Sequence, residues 1–144
     1  MNNNEELKEL VEEMQEFLHK GNKLVQKVQK KMDFRGLIQH EAGGHGFAKL
    51  ADEYLGAPET VVPDYEKELK SANEKYGWYR NIDFTGDPLA VKWSHILADE
   101  RYASEPEGVY EGALGYGTGV WRPTYTSIMK DNQGIFNAPS REAI

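Results

Sequence analysis

Between residues 5 and 32 apolar side chains return alternately at every fourth and third position. Leu7, Val11, Met14, Leu18, Val25, Val28 and Met32 keep that step without a slip, with Gly21 in the one remaining place, and Leu10, Phe17 and Leu24 widen the stripe. The pattern predicts one long amphipathic helix instead of a hairpin broken at Gly21-Asn22, although a glycine weakens a helix by about 1 kcal/mol relative to alanine. Glu5, Glu6, Glu9, Glu12, Glu13 and Glu16 crowd its first half, and Lys20, Lys23, Lys27, Lys30 and Lys31 its second. That order complements the helix macrodipole. The stripe is expected to pack on the rest of the domain rather than to stand free as a coiled coil.

Beyond this segment the elements are shorter. Asp33 can cap a second helix from about Phe34 to Tyr54. Thr60 to Pro63 reads as a loop, and Pro63 begins a polar helix ending near Tyr76-Gly77. Asp87 and Pro88 supply the cap and first position of a short helix through Leu97. Five glycines between Glu105 and Gly119 predict turns with at most short strands. At 144 residues the chain reads as a single domain, with an N-terminal helix over 1–33 and a core over 34–144.

The second helix carries His40-Glu41-Ala42-Gly43-Gly44-His45. Two imidazoles on one helix face can bind a zinc ion, and a carboxylate beside them can take a proton from water that the ion polarises. The usual spacing of i and i+4 puts the rings about 40° apart around a helix. Here the step is i to i+5, about 140° on a regular helix, which would turn the second ring away. A π-bulge absorbs one extra residue and restores the shared face, and Gly43-Gly44 eases that change of backbone. Asp52 and Glu53 offer carboxylates seven and eight residues after His45.

Composition narrows the function classes. A net charge of −7 disfavours nucleic acid and anionic membranes as partners, since both need a basic footprint. The absence of cysteine excludes disulfides, thiolate zinc sites and a cysteine nucleophile. No apolar run approaches membrane-spanning length, and the polar, acidic start does not read as a signal peptide. Serine catalysis lacks a Gly-x-Ser-x-Gly elbow, and nothing forms a phosphate-cradling glycine loop.

The run HEAGGHGFAKLADEY, with WYRNIDFTGDP, VKWSHILADERYA, GVYEGALGYGTGVWRPTYTSIMKDN and FNAPSREAI, resembles the catalytic core of the IgA-specific metallopeptidase family, a metzincin-like group. The resemblance spans roughly residues 35 to 144, with the blocks in order, and relatives share the five-residue histidine step. It implies an α-rich α+β fold with little sheet, a metzincin-like active-site helix and a methionine turn at Ser127-Ile128-Met129. It implies zinc held by His40, His45 and Asp52, with Glu41 as general base and Met129 beneath the site. The implied activity is hydrolysis of a polypeptide substrate, in a family that is largely exported. Only 39 residues precede His40, and they read as helix where metzincins place a substrate-aligning sheet. Two rival readings follow: a zinc-binding scaffold with little turnover, and a helix-driven interaction module with a vestigial site.

Several residues stay open at this level. Glu53 and His95 compete with Asp52 as third ligand. Tyr110, Tyr116 and Tyr125 are candidates for stabilising an oxyanion. Arg122 can bind a substrate carboxylate or pair with Asp83, Glu111 or Asp131, the structural role being the commoner one. The oligomeric state is not legible.

Overall fold

The computed structural model describes residues 3–144, with side chains left aside at 3–9 and 31–33. The places of Leu7 and Met32 in the stripe therefore lie outside the described side chains. The chain divides into two compact units, Met1–Arg35 and Gly36–Ile144. It mixes helix with a small sheet, and no described helix is long and apolar enough to cross a membrane.

One helix, α1, runs over Asn3–Ile38, through Gly21 and through Asp33. The expected cap at Asp33 is therefore corrected: that residue lies inside a helix, because the neighbouring helix formers carry the backbone through it. The apolar side chains described between Leu10 and Val28 are exposed. A π-helix, Gln39–Phe47, follows directly and holds the histidine motif.

It ends at Phe47, well short of the expected Tyr54. The stop has a local cause. Lys49 takes a left-handed backbone (φ 54°), and the Leu50 N–H closes the end on the Gly44 carbonyl at 2.9 Å. Residues 50–54 then form an irregular strap instead of helix.

The polar helix expected after Pro63 is present in two pieces, α2 (Asp64–Glu68) and α3 (Lys70–Lys75), and the chain turns out at Gly77 with φ 72°. The helix expected from Asp87 to Leu97 shrinks to a single turn, α4 (Ser94–Leu97). Asp87 still caps, its carboxylate accepting from the Leu89 N–H at 2.9 Å, but it closes a turn.

The glycine-rich stretch forms a hairpin of β1 (Tyr110–Ala113) and β2 (Tyr116–Arg122), joined at Leu114-Gly115, both left-handed. Its register shifts between Glu111 and Ala113. Two short helices follow, α5 (Ile128–Asp131) and α6 (Ala138–Ala143), the latter capped by Asn137.

Three apolar clusters hold the second unit. Ala51, Val62, Ile82, Ala113 and Val120 join the strap to the hairpin. Val91, Trp93, Ile96 and Ala138 join α4 to α6. Ala48, Leu50 and Met129, with Phe136 against them, lie under the π-helix.

Candidate metal centre

Hydrogen bonding from residue i to i+5 is what defines a π-helix, so it stacks such residues on one face. His40 and His45 consequently meet, their Nε2 atoms 3.0 Å apart. Where a single bulge would suffice, the structure has a nine-residue π-helix. Gly44 makes it possible to pack this helix closely: a Cβ there would overlap the Met129 thioether. Gly43 is less constrained, its nearest neighbour being the Phe136 ring at 3.6 Å.

Asp52 completes the group. Its Oδ1 lies 2.9 Å from His40 Nε2 and 3.1 Å from His45 Nε2. The strap that carries it is bonded along its length. Asn81, fully buried, accepts from the Ala51 N–H and donates to the Ala51 carbonyl, both at 2.8 Å. The Asp52 carbonyl accepts from Leu114 N–H, the Tyr54 carbonyl from Gly115 N–H, and Glu53 N–H donates to the Met129 carbonyl. The hairpin turn and α5 thus fix Asp52 against the histidines.

The far nitrogens of both rings are committed. His40 Nδ1–H donates to the Ile128 carbonyl at 2.9 Å, and His45 Nδ1–H to the Leu50 carbonyl at 2.8 Å. A carbonyl can only accept, so in each neutral ring the proton sits on Nδ1 and Nε2 presents a lone pair. Two lone pairs and a carboxylate oxygen then face one another at hydrogen-bond distance. Such a group needs a cation among its members: a proton on one ring, or a metal ion shared by all three.

The geometry fits the second. Ligand atoms 2.0–2.1 Å from a tetrahedral ion lie about 3.3 Å apart, close to the separations here. Backbone carbonyls on Nδ1 are the usual outer partners that orient ligating histidines. His40 is nearly closed off (7% side-chain exposure), whereas His45 and Asp52 keep 33% and 25%, so one side of the group faces solvent. His40, His45 and Asp52 can therefore hold a metal ion.

The other candidates fall elsewhere. Glu53 is fully buried, its carboxylate accepting from Ser127 Oγ at 2.5 Å, Asn81 Nδ2 at 2.8 Å and Asn137 Nδ2 at 2.9 Å. It ties the strap to α5 and α6. Burial pushes its carboxyl up from the ordinary range, and those donors, with the Arg122 charge, pull it partly back. His95 is exposed and pairs with Glu142 at 2.9 Å.

Arg122 is buried and donates to the Glu111 and Gly112 backbone carbonyls, a structural role reached through a carbonyl where a carboxylate partner was expected. Tyr110 stacks near Arg122 and edge-on to the exposed Tyr125. Tyr116 lies beside Tyr65, and that contact raises its hydroxyl to about 12.

Glu41 is exposed in the turn after His40. Tyr54, absent from the tyrosines expected to stabilise an oxyanion, lies within the electrostatic reach of Asp52 and Glu41. The Asp52 carboxylate, through its charge and as a hydrogen-bond acceptor, raises the phenol's pKa, and Glu41 adds to the shift. Its place two residues after Asp52 was the available signal. Asn81 offered none, since its partners lie some thirty positions earlier in the chain.

Compared with known proteins, the chain matches no family model and no curated protein.

Proposed function

We propose that this chain is a zinc-dependent peptidase of metzincin-like character, with His40, His45 and Asp52 as ligands. The observation that carries the reading is the convergence of two Nε2 lone pairs and one carboxylate oxygen, each ring pinned from behind by a backbone carbonyl. Three protein ligands with one side exposed is the pattern of catalytic zinc sites, whereas structural sites are closed by four. The identity of the ion as zinc rests on that donor set together with the resemblance of the HEAGGHGFAKLADEY run to metallopeptidases.

Zinc bound there would supply Lewis acidity, acidifying water and polarising a carbonyl. The chain's own residues supply the rest. Glu41 accepts a proton from the attacking water and returns it to the leaving amine. Tyr54, a phenol that the Asp52 charge keeps protonated, is the residue we assign to stabilising negative charge developing on the carbonyl oxygen. Met129 and Gly44 fix the floor on which the π-helix rests.

A second reading, a zinc-binding scaffold with little turnover, is favoured by one feature. Among the described residues the only sheet has two strands, a small platform for aligning an extended peptide.

A fluorogenic peptide library separates the two. Cleavage that is abolished by chelation and by Glu41→Gln, with metal content unchanged in that variant, supports the peptidase. Equal cleavage by parent and variant would assign the activity to a contaminant, and no cleavage by a metal-loaded parent would leave the scaffold.

A further inference from the structure

The exposed stripe of α1 has a second property besides its apolarity. Val11, Leu18 and Val25 recur at seven-residue intervals, as do Met14, Gly21 and Val28, so the stripe keeps the period of a two-helix seam. Leu10, Phe17 and Leu24 form a third column beside it. These side chains are exposed, Phe17 at 76% and Leu24 at 63%. From Leu10 to Val28 the seam is about 28 Å long at 1.5 Å per residue.

Charge decides what fits it. Glu12, Glu13 and Glu16 precede the midpoint, and Lys20, Lys23 and Lys27 follow it. A parallel copy would set acid beside acid and base beside base. An antiparallel copy sets each half against its opposite.

We infer that α1 pairs antiparallel with α1 of a second copy of this chain, centred between Glu16 and Phe17. To within one residue of that centre the columns close on themselves. Val11 faces the gap left by Gly21, Met14 meets Leu18, Leu10 meets Leu24, and Phe17 meets its own copy. On the flank, Glu13 faces Lys20 of the other chain. Lys20 already pairs with Glu16 along its own helix at 2.7 Å, but that pair is exposed and readily exchanged. The exposed stripe and the charge reversal are independent features, and both are met by an antiparallel second copy.

Sedimentation equilibrium of the full chain at tens of micromolar tests the pairing. The expected mass is twice 16.4 kDa. A single-chain mass at every concentration, or a mass of three or four copies, overturns the inference. Leu18→Glu should give the single-chain mass, and the milder Met14→Ser, at the position facing Leu18 of the other copy, should raise the dissociation constant at least tenfold. Either variant remaining as tightly paired as the parent removes this face as the interface.

Orientation is read with a short thiol crosslinker, since the chain has no cysteine of its own. A mixture of Glu13→Cys and Lys20→Cys chains should crosslink, and Val28→Cys alone should not. Crosslinking of Val28→Cys to itself means a parallel pair and contradicts the assignment.

Discussion

A Cβ at Gly44 would occupy the space of the Met129 thioether, so the floor of the π-helix and the residue resting on it are fitted to each other. The neighbouring Gly43 meets only the Phe136 ring at ordinary contact distance. Two adjacent glycines that look equivalent in the sequence therefore do different work.

Gly44→Ala should destabilise the second unit by about 1–3 kcal/mol, the usual cost of overpacking, because Met129 is fully buried and has little room to yield. Gly43→Ala should be neutral, or stabilising by up to about 1 kcal/mol, from the entropy glycine loses on folding. Urea denaturation of the two variants checks the contrast. Equal losses would contradict the packing described here.

Asn81→Ala removes both bonds to the Ala51 backbone and one donor to Glu53. Each buried group left without a partner costs about 1–3 kcal/mol. The strap that aims Asp52 loosens with it, so metal affinity should fall about 10–100-fold, as for other groups that orient ligands. Chelator competition measures this. A variant that is less stable but binds metal as the parent does would detach Asn81 from the site.

Glu53 supplies a pH dependence of unusual sign. Burial raises its carboxyl above the ordinary glutamate value of 4.5. Above that pH the unfolded chain loses the proton while the folded one keeps it, so this group's contribution to stability falls as pH rises through the folded pKa. The slope is at most about 1.4 kcal/mol per pH unit. With chelator present, the stability of the parent relative to Glu53→Gln should decrease between pH 4.5 and neutrality. A relative stability that increases over that range would mean a depressed carboxyl.

Asp52→Ala should weaken metal binding far more than His95→Ala, which alters only an exposed pair with Glu142. Glu53→Gln, whose side chain lies in the buried network, should act on affinity only through stability. Competition with a calibrated chelator ranks the three. If His95→Ala proves the most damaging, the ligand assignment fails while a metal site survives.

What the sequence revealed, and what it hid, follows from the range of the interactions involved. The long helix was legible because its stripe is a local periodicity. The distortion at Gln39–Phe47 was legible because an i to i+5 histidine step has few other solutions. The helix end was not, since it depends on Lys49 adopting a left-handed backbone that no residue type there announces. Asp52 and Glu53 could not be told apart as neighbours in the chain. The strap sends one to the histidines and the other to Ser127, Asn81 and Asn137, and those partners come from three distant segments. Asp33 misled because a good capping residue is also tolerated inside a helix.

The central claim is that His40, His45 and Asp52 bind one metal ion together. Elemental analysis of the gel-filtered chain after exposure to zinc tests it most directly, run beside His40→Ala and His45→Ala. About one zinc per parent chain, and none retained by either variant, is the predicted result. A parent that leaves the column without zinc, or histidine variants that keep it, would contradict the account.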